Sequence, residues 1–516
     1  MTSETKVIDW IAHHGRSVPN DRAQVDLASG RVFTYSQMND RVGRVAAHLL
    51  TLGVKPGDRV AFLALNSTDI FEISFGCWRI GAICLALNFR LTAPELEYIV
   101  NDAEPVAIFV DREFAHVASE LRSLTNIAHW IETDGMGGTS EYEAALASAT
   151  PILKQHVAQI LTDQCMLMYS SGTTGRPKGV IITHNMMLYS AINLIPATAL
   201  TRHCTNLAIM PLFHIGGFNI FGCPAFYAGA SNVIMRNFDP GAALDIFSDP
   251  QLNITHFLGV PAIYNALKLH PKNADADLSR LQAAFAGAEA VPDALVQWWY
   301  ERGVKIQEGY GMTESAASNC SISKDDVPDR IGSAGKAAMH TEMMIALEDG
   351  SEAAPGELGE IWMRGPAITP GYWNKPEANA ECFVDGWFRS GDIGRCDAEG
   401  YFTIEDRVKD MYISGGENVY PAEIENILYE IEEIAEVAVI GLADEKWGET
   451  GCAVVALKAG CSLEAERVVS HCASQLAKFK HPRDVVFVEE LPRNATGKVL
   501  KYQLRETIAI QLKSGT

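Results

Sequence analysis

The sequence predicts an α/β protein with a large N-terminal domain of layered βαβ subdomains, a β-rich subdomain and a small α+β C-terminal domain. Between residues 31 and 286, short apolar strands alternate with helical segments, a pattern that indicates parallel βαβ units. Short β runs punctuated by Gly and Pro follow at 350–402. A chain of 516 residues is long enough for several such units.

The first elements follow from capping and periodicity. The opening residues are amphipathic and predict a lead helix, and Arg31–Thr34 reads as a short strand. Thr34 is placed to cap a helix, because an apolar residue recurs at helical spacing after it. A buried strand at 60–65 and a helix at 69–79 come next. Further strands are predicted at 108–110, 165–169, 206–210, 255–258 and 283–286.

The character of the chain changes twice after residue 340. The β-rich subdomain is predicted from strands at 343–347, 359–363 and 400–404. The final unit is predicted to hold helices at 422–430 and 464–478 and strands at 437–440, 452–457 and 485–488. We therefore expect a domain boundary near Lys409, with domains 1–408 and 409–516.

Composition excludes several classes of protein. Hydrophobic residues make up 47% and charged residues 21%, so the chain is neither disordered nor a disulfide scaffold. The net charge of 42 − 64 = −22 disfavours nucleic acid and anionic membranes as partners. The 11 cysteines are scattered singly, the N-terminus carries no signal-peptide pattern, and the longest apolar stretch, 218–230, is too short for a bilayer. We expect a cytoplasmic protein whose thiols mostly pack in the core, with a homodimer left open.

The segment from Tyr169 to Val180 is the most informative stretch. A strand leads into a loop with three glycines, four hydroxyl residues and two cations. Such a loop directs backbone N–H groups, hydroxyls and positive charge at an anion, as a triphosphate tail requires. Its spacing differs from a Walker A loop, and the alternative is a surface hairpin rich in turn formers. The candidate phosphate ligands are Ser170, Ser171, Gly172, Thr173, Thr174, Gly175, Arg176 and Lys178.

This loop resembles the phosphate-loop signature of the adenylate-forming superfamily, which includes acyl-CoA synthetases, luciferases and peptide-synthetase adenylation domains. The resemblance extends from about Phe33 to Arg505, with further motifs in family order. These are Gln307-Glu-Gly-Tyr-Gly-Met-Thr-Glu314, Gly386-Trp-Phe-Arg-Ser-Gly-Asp392, Asp406-Arg-Val-Lys-Asp410, Ser414-Gly-Gly-Glu-Asn418 and Pro492-Arg-Asn-Ala-Thr-Gly-Lys498. The resemblance implies a mobile C-terminal domain and the use of ATP, Mg²⁺ and an acyl acceptor.

The motif around Glu314 combines groups suited to a nucleotide. Tyr310 offers an aromatic face for a purine, Thr313 a hydroxyl, and Glu314 a carboxylate for Mg²⁺. The resemblance assigns Thr313 to the α-phosphate, Glu314 to the metal and Asp392 to the ribose. It adds further candidates for the ATP or AMP site: Gly287, Ala288, Glu289, Glu308, Gly309 and Arg407.

Two lysines have roles that the resemblance alone implies. Lys498 enters the site for adenylate formation, where its ammonium would stabilise the charge that develops as a carboxylate attacks the α-phosphate. Lys409 is the hinge about which the C-terminal domain rotates for the second half-reaction, when the 414–418 loop enters. Residue 406 is Asp where many relatives have Gly, which weakens the local match slightly.

The acceptor and the acid are inferred separately. Positions resembling those that hold CoA are Ser414, Gly415, Gly416, Trp447, Phe479 and Arg483, and an aromatic and cationic cluster suits a phosphorylated nucleotide. The expected acyl-pocket residues are His214, Phe218, Phe257, Gly309 and Gly311, with Asn219, Gly259 and Ala316 as further candidates. These side chains are mostly small or apolar, so amino acids are disfavoured as substrates.

We therefore predict an AMP-forming acid–CoA ligase for an apolar acid, with a leaning to benzoate, coumarate or ferulate types. Overall similarity to ligases of aryl acids favours that leaning. The alternatives are a medium-chain fatty acyl-CoA synthetase, an enzyme that loads a carrier protein, a luciferase-like use of oxygen, and a nucleotide-binding module without turnover.

Overall fold

The computed structural model describes residues 5–170, 177–289, 291–407, 410–414, 417–444, 447–493 and 499–514. In these ranges the strands form four sheets, which we call A to D. Sheet C and sheet D are built from the chain after residue 340, whereas sheets A and B interleave in sequence. The expected α/β architecture, with a β-rich part and a smaller C-terminal unit, is confirmed.

Sheet A has six strands in the described chain, parallel except for the last pair. In spatial order they are His129–Thr133, Ala107–Asp111, Arg59–Leu63, Ile83–Ala86, Gln164–Ser170 and Lys178–Thr183. The antiparallel pair at its edge is the hairpin that carries the predicted phosphate loop, with Ser170 opposite Lys178. The hairpin therefore brings the two ends of that loop together.

Sheet B has nine strands in the described chain, and its six central strands are parallel. In spatial order they are Lys336–Ala337, Cys320–Ser321, Ile306–Tyr310, Ala283–Ala286, His256–Gly259, Thr205–Ala208, Ser231–Ile234, Arg22–Asp26 and Val32–Thr34. Ligands of such sheets bind beyond the carboxyl ends of the strands. Those ends carry the segments that begin at Gly287 and Gly309.

Sheets C and D complete the molecule. Sheet C is antiparallel and contains Glu342–Ala346, Gly359–Arg364, Trp387–Cys396, Phe383–Val384 and Phe402–Arg407. Sheet D contains Glu417–Val419, Tyr412–Ser414, Gly448–Leu457, Ile434–Asp444 and Asp484–Val488. Separate apolar clusters fill its two faces, one of them under the C-terminal helix through Leu504 and Ile508. Sheet D thus has a core of its own.

Helices cover the sheets. The α-helices are Trp10–Ser17, Tyr35–Thr51, Thr68–Arg79, Ala93–Ala103, Ala115–Leu124, Glu141–Ser148, His184–Thr198, Ile215–Gly217, Cys223–Ala228, Pro240–Ser248, Pro261–Leu269, Asp293–Glu301, Pro376–Cys382, Pro421–Leu428, Ala465–Gln475 and Lys501–Ser514. Short 3₁₀ turns lie at Arg112–Phe114, Pro271–Ala274, Thr313–Ser315 and Lys478–Lys480, and a π-turn at Phe218–Gly222. Within the described ranges, no helix combines the length and apolar content needed to cross a membrane.

Local chemistry explains the elements that were predicted well. The Thr34 hydroxyl accepts from Gln37 N–H, and the Gln37 side chain accepts from Thr34 N–H, forming a capping box at the start of Tyr35–Thr51. Apolar side chains on this helix, Met38, Val42, Val45 and Leu49, are fully buried. Eight of the 11 cysteines are buried as small core residues, and all 11 are free thiols, as expected.

Candidate active site

Hydroxyl groups from two distant parts of the chain meet at Glu314. The Ser170 Oγ donates to Glu314 Oε1 over 3.4 Å, and the Tyr372 hydroxyl donates to the same oxygen over 2.9 Å. Glu314 is buried, and Thr313 precedes it in the 3₁₀ turn Thr313–Ser315. The carboxylate is therefore held where sheet A, sheet B and the segment that follows the Gly359–Arg364 strand of sheet C meet.

Lys178 lies at the same place. Its ammonium group is 5.1 Å from the centre of the Tyr372 ring, and Tyr372 forms a β-bridge with Val180. Ser170 and Lys178 therefore lie at the two ends of the predicted phosphate loop, within one network with Glu314. Residues 171–176 are outside the described chain, so Ser171, Gly172, Thr173, Thr174, Gly175 and Arg176 stay predictions.

Asp102 anchors both flanks of this network from the helix Ala93–Ala103. Its carboxylate accepts from the Tyr169 hydroxyl over 2.6 Å and from Lys375 Nζ over 2.9 Å. Its backbone carbonyl accepts from the Trp373 indole over 3.0 Å. Because Tyr169 adjoins Ser170 and Trp373 adjoins Tyr372, Asp102 fixes both groups that bond to Glu314.

The donor set around Glu314 fits Mg²⁺. The cation prefers oxygen and usually takes one or two protein carboxylates together with phosphates and water. Glu314 and Ser170 supply oxygens, Thr313 adjoins Glu314 in the 3₁₀ turn, and Lys178 lies over the Tyr372 ring that bonds to Glu314. The described residues contain no group of three or more His, Cys, Asp or Glu side chains that could hold a metal. The carboxylate and hydroxyl oxygens suit a cation that arrives with a nucleotide.

The predicted ribose ligand lies beside the predicted purine ligand. The Tyr310 hydroxyl donates to Asp392 Oδ2 over 2.7 Å, which joins the carboxyl end of a sheet B strand to sheet C. Asp392 is buried and pairs with Arg407 across antiparallel strands of sheet C. The backbone thus places Asp392 and Arg407 side by side, while the side chain of Arg407 is outside the described structure.

Two glycines let backbone segments pass closely at this edge of sheet B. A Cβ on Gly287 would lie 2.7 Å from the Gly309 carbonyl oxygen, so a side chain there would clash. Ala288 has φ +73°, a strained value for a residue with a Cβ. Residues 287–289 follow the Ala283–Ala286 strand and residues 308–310 end the adjacent Ile306–Tyr310 strand, which explains how the two segments come together.

The chain beyond Gly311 is also tightly constrained. A Cβ on Gly311 would approach the Ala317 carbonyl oxygen to 2.1 Å, so only glycine fits. Ala316 has φ +55°, and its carbonyl oxygen accepts from Ser190 Oγ (3.0 Å) and Asn219 Nδ2 (2.8 Å). Two buried side chains thus hold a strained turn directly after Glu314.

Glu308 has a different environment from its neighbours. Its buried carboxyl group accepts from the Gly332 backbone N–H over 3.0 Å. Burial raises the pKa of Glu308 to about 8, although the Gly332 N–H opposes that rise. The side chain ties sheet B to the 330–332 segment, so a direct role on a nucleotide remains a prediction.

His214 is uncharged at neutral pH. Burial lowers the pKa of its imidazole to about 4, and its Nδ1 accepts from the Gly216 N–H over 3.2 Å. The proton of the neutral ring therefore resides on Nε2. A neutral ring can line a pocket or donate one hydrogen bond, but it offers no cation to a carboxylate.

The aromatic residues around His214 differ from those expected. A small cavity beside its loop is lined by Asn206, Leu207, Ala208, Ile209, Met210, Gly216, Gly217, Phe221 and Leu258. The Phe257 side chain lies on the opposite face of its strand from Leu258, and there it packs on Phe247 and Tyr264. The π-turn directs Phe218 into the core against Phe71 and Trp78. Phe221 and Leu258 thus line this cavity and Phe218 and Phe257 do not, while the acyl pocket itself stays a prediction.

The predicted CoA segments are neighbours in sheet D. Ser414 pairs with Gly448 across adjacent strands, so Ser414 lies beside the residue that follows Trp447. Asp444 accepts from the Trp447 backbone N–H over 2.8 Å and forms an ion pair with Arg483. Trp447 is 44% exposed and Arg483 is 62% exposed, whereas Phe479 packs partly against the core. The arrangement presents an aromatic and a cationic side chain to solvent.

Several predicted residues lie outside the described structure. These are Lys409, Gly415, Gly416 and Lys498, in addition to residues 171–176. Sequence reasoning also missed Tyr372 and Asp102, whose contacts join residues far apart in the chain. The sequence contains only a weak signal for Tyr372. It is the first of two aromatic residues after Pro370 and Gly371, in a region predicted only as short strands separated by Gly and Pro.

The chain matches two family models. Residues 11–373 match the model "AMP-binding enzyme", and residues 423–498 match "AMP-binding enzyme C-terminal domain". The chain therefore belongs to the AMP-binding enzyme family.

Individual relatives align with this chain over almost their whole length. The chain is 37% identical to a feruloyl-CoA synthase of Amycolatopsis sp over 96% of this chain and 98% of the relative. It is also 37% identical to an indoleacetate–CoA ligase of Aromatoleum aromaticum, over 97% and 98% respectively. The anthranilate CoA ligase AuaEII, solved in complex with anthranoyl-AMP, superposes with a TM-score of 0.92 and 28% identity, over 99% of this chain and 100% of that one.

Proposed function

We propose that the acid activated by this AMP-forming acid–CoA ligase is an apolar aryl acid of the benzoate, coumarate or ferulate type. In the first half-reaction a carboxylate oxygen bonds to the α-phosphorus of ATP and pyrophosphate leaves. In the second, the CoA sulfur bonds to the acyl carbon, AMP leaves with the electron pair of the broken C–O bond, and the thiol proton passes to solvent.

One observation carries the nucleotide part of the proposal: both ends of the predicted phosphate loop lie in the network centred on Glu314. We assign Ser170 and Lys178 to the triphosphate, Thr313 to the α-phosphate, and Asp392 to the ribose. Glu314 would hold Mg²⁺, whose charge offsets that of the phosphates. Tyr372 keeps the Glu314 carboxylate oriented.

The side chains beside the His214 loop favour an apolar acid. Its described lining contains no carboxylate that could bind a substrate ammonium group, and the His214 ring is neutral. Gly216 and Gly217 carry no side chain there, and Phe221 and Leu258 supply apolar contact. The names of the relatives, which refer to ferulate, indoleacetate and anthranilate, agree with an aromatic substrate.

The two-domain part of the proposal explains how one site performs two reactions. We assign residues 1–408 to the nucleotide-binding domain and 409–516 to a domain that rotates about Lys409. In one orientation Lys498 meets the α-phosphate and the acyl carboxylate; in the other the 414–418 loop and Trp447 guide CoA. A chain with 11 free thiols that consumes ATP and CoA suits the reducing cytoplasm.

The substrate is tested with a panel of acids. The purified protein is incubated with ATP, Mg²⁺ and each of several benzoates, cinnamates and C4–C12 fatty acids, and pyrophosphate is measured without CoA and AMP with CoA. We expect the highest kcat/KM with an aryl or phenylpropanoid acid. A clear preference for fatty acids would contradict the aryl assignment, and turnover with a phosphopantetheinylated carrier but not with CoA would contradict the acceptor. Light scattering of the same sample reports whether two copies associate.

A further inference from the structure

Residues 369–375, which we call the strap, lie along the last strand of sheet A. The Ile181 N–H donates to the Gly371 carbonyl oxygen over 3.1 Å. Further along, the Trp373 N–H donates to the Gly179 carbonyl oxygen over 2.7 Å. The strap therefore extends sheet A next to the hairpin that carries the predicted phosphate loop.

The strap contacts Glu314 through both its backbone and its side chain. The Thr369 N–H donates to the Glu314 carbonyl oxygen over 2.7 Å, and the Tyr372 hydroxyl donates to Glu314 Oε1 over 2.9 Å. The Thr369 hydroxyl also donates to the Ile181 carbonyl oxygen over 2.6 Å. A displacement of the strap would therefore displace Glu314 with it.

Asp102 holds the end of the strap. Its carboxylate accepts from Lys375 Nζ over 2.9 Å, and its backbone carbonyl accepts from the Trp373 indole over 3.0 Å and from Asn374 Nδ2 over 3.4 Å. The side chains of Asp102 and Lys375 are only 12% and 28% exposed. An ion pair this sheltered is screened less by salt than a surface pair.

The same carboxylate holds the second hydroxyl that reaches Glu314. The Tyr169 hydroxyl donates to Asp102 Oδ2 over 2.6 Å, and burial raises the pKa of Tyr169, so the hydroxyl stays a donor at neutral pH. Tyr169 directly precedes Ser170, whose Oγ donates to Glu314 Oε1. One carboxylate on the helix Ala93–Ala103 thus holds both segments whose hydroxyls bond to Glu314.

We infer that Asp102 is a positioning residue for the metal site. Through Tyr169 and Lys375 it holds the Ser170 and Tyr372 hydroxyls at Glu314, so that this carboxylate keeps the orientation in which it binds Mg²⁺. The inference rests on the proposed function, which assigns Glu314 to Mg²⁺. Because outer groups of this kind set how firmly a ligand holds its metal, the loss of Asp102 should appear as weaker metal binding.

Asp102→Ala and Asp102→Asn test this inference. The measured quantity is the Mg²⁺ concentration that gives half-maximal acid-dependent pyrophosphate release at saturating ATP and acid. We expect it to rise about tenfold in Asp102→Ala, with the lost rate recovered as Mg²⁺ is raised and the KM for the acid unchanged. Asp102→Asn keeps an acceptor for Tyr169 but lacks the charge that pairs with Lys375, and a rise of about threefold is expected.

The route from Lys375 to Glu314 is tested with a second pair of variants. Lys375→Met alone should raise the Mg²⁺ requirement about threefold, because it removes the ion pair that holds the strap. Combined with Tyr372→Phe, it should add nothing to the effect of Tyr372→Phe, since both act on one hydrogen bond. Multiplied effects would contradict a route through Tyr372.

Asp326→Ala is the matched control. Asp326 accepts a hydrogen bond from the Tyr401 hydroxyl over 3.0 Å, the same kind of contact in another part of the molecule. Its loss should leave the Mg²⁺ requirement at the wild-type value. Mn²⁺ binding with a non-hydrolysable ATP analogue, followed by electron paramagnetic resonance, should weaken in the Asp102 variants and not in this control.

Glu314→Gln separates the inference from the proposed function. It should raise the Mg²⁺ requirement at least as much as Asp102→Ala does. If it does so while both Asp102 variants lose maximal rate at an unchanged Mg²⁺ requirement, Asp102 is only structural and the inference alone is overturned. If Glu314→Gln itself leaves the Mg²⁺ requirement unchanged, the assignment of Glu314 to the metal fails, and this inference with it.

Discussion

At the scale of single residues, the orientation of Glu314 depends on groups that are remote in sequence. Its Oε1 accepts hydrogen bonds from Ser170 and Tyr372, and Asp102 in turn fixes the neighbours of both. A carboxylate that accepts bonds from two anchored hydroxyls has little freedom to rotate. Such outer contacts determine how well a ligand is presented to a metal ion.

Tyr372→Phe should weaken Mg²⁺ binding while leaving the acid site unchanged. The substitution removes the 2.9 Å hydrogen bond to Glu314 but keeps the ring beneath Lys178. We expect the Mg²⁺ concentration for half-maximal activity to rise about three- to tenfold, with the KM for the acid unchanged. Binding of Mn²⁺ with a non-hydrolysable ATP analogue, followed by electron paramagnetic resonance, should weaken in parallel.

The control for this prediction is Tyr401→Phe, which removes a 3.0 Å hydrogen bond from tyrosine to Asp326 in another part of the molecule. It should leave the Mg²⁺ requirement at the wild-type value. An unchanged requirement in Tyr372→Phe as well would show that Glu314 needs no support from Tyr372.

The sequence predicted residue types better than residue contacts. Ser170, Lys178 and Glu314 were found because each belongs to a short motif with recognisable chemistry. Tyr372 and Asp102 were missed because their partners lie in other elements, and no local pattern encodes a hydrogen bond across such a distance. Phe218 and Phe257 were chosen by motif position, but the π-turn and the alternation of the strand direct their rings elsewhere.

At the scale of elements, the Ile306–Tyr310 strand carries both a residue that contacts the predicted ribose ligand and a buried carboxyl group. Tyr310 at its end reaches Asp392, while Glu308 two residues earlier is buried against Gly332. Because burial raises the pKa of Glu308 to about 8, its carboxyl group is mainly protonated at neutral pH in the folded protein. In the unfolded chain the same group ionises near its ordinary value.

Glu308→Gln should make the protein less sensitive to high pH. Between the ordinary pKa and about 8 the folded state binds a proton that the unfolded state has lost, so stability falls as pH rises through this window. Glutamine removes this titration but still accepts from Gly332. We expect the variant to gain at least about 1 kcal/mol relative to wild type between pH 5.5 and pH 9, measured by urea unfolding.

Glu301→Gln serves as the comparison, because Glu301 is exposed at the end of the helix Asp293–Glu301. It should follow the wild-type pH dependence. If Glu308→Gln follows it too, the Glu308 carboxyl group is ionised in the folded protein at neutral pH.

The sequence predicted most elements but not all of their limits. The Ala283–Ala286 strand and the helix capped by Thr34 were placed correctly, because a buried apolar run and a capping hydroxyl are local signals. The strand predicted at 437–440 extends over Ile434–Asp444, since pairing with Gly448–Leu457 continues through polar positions. The strand order of sheets A and B depends on long-range pairing that periodicity does not report.

At the scale of the whole molecule, the proposed rotation of the C-terminal domain requires backbone freedom at residue 409. Lys409→Pro restricts φ at that position and should impair the second half-reaction more than the first. We expect the rate of thioester formation from supplied acyl-AMP to fall by about tenfold or more, with acid-dependent pyrophosphate release less affected. Stopped-flow measurement of both half-reactions would decide this, and unchanged thioester formation would argue against a hinge at 409.

Lys498→Ala provides the most direct test of a site that works in two orientations. Pyrophosphate release and thioester formation from supplied acyl-AMP are measured on the same preparation. We expect the first rate to fall by about 100-fold or more and the second to stay within about threefold of wild type, because the ammonium group acts only while charge develops at the α-phosphate. Equal losses in the two half-reactions would contradict the assignment of Lys498 to adenylate formation and the division of labour between the two orientations.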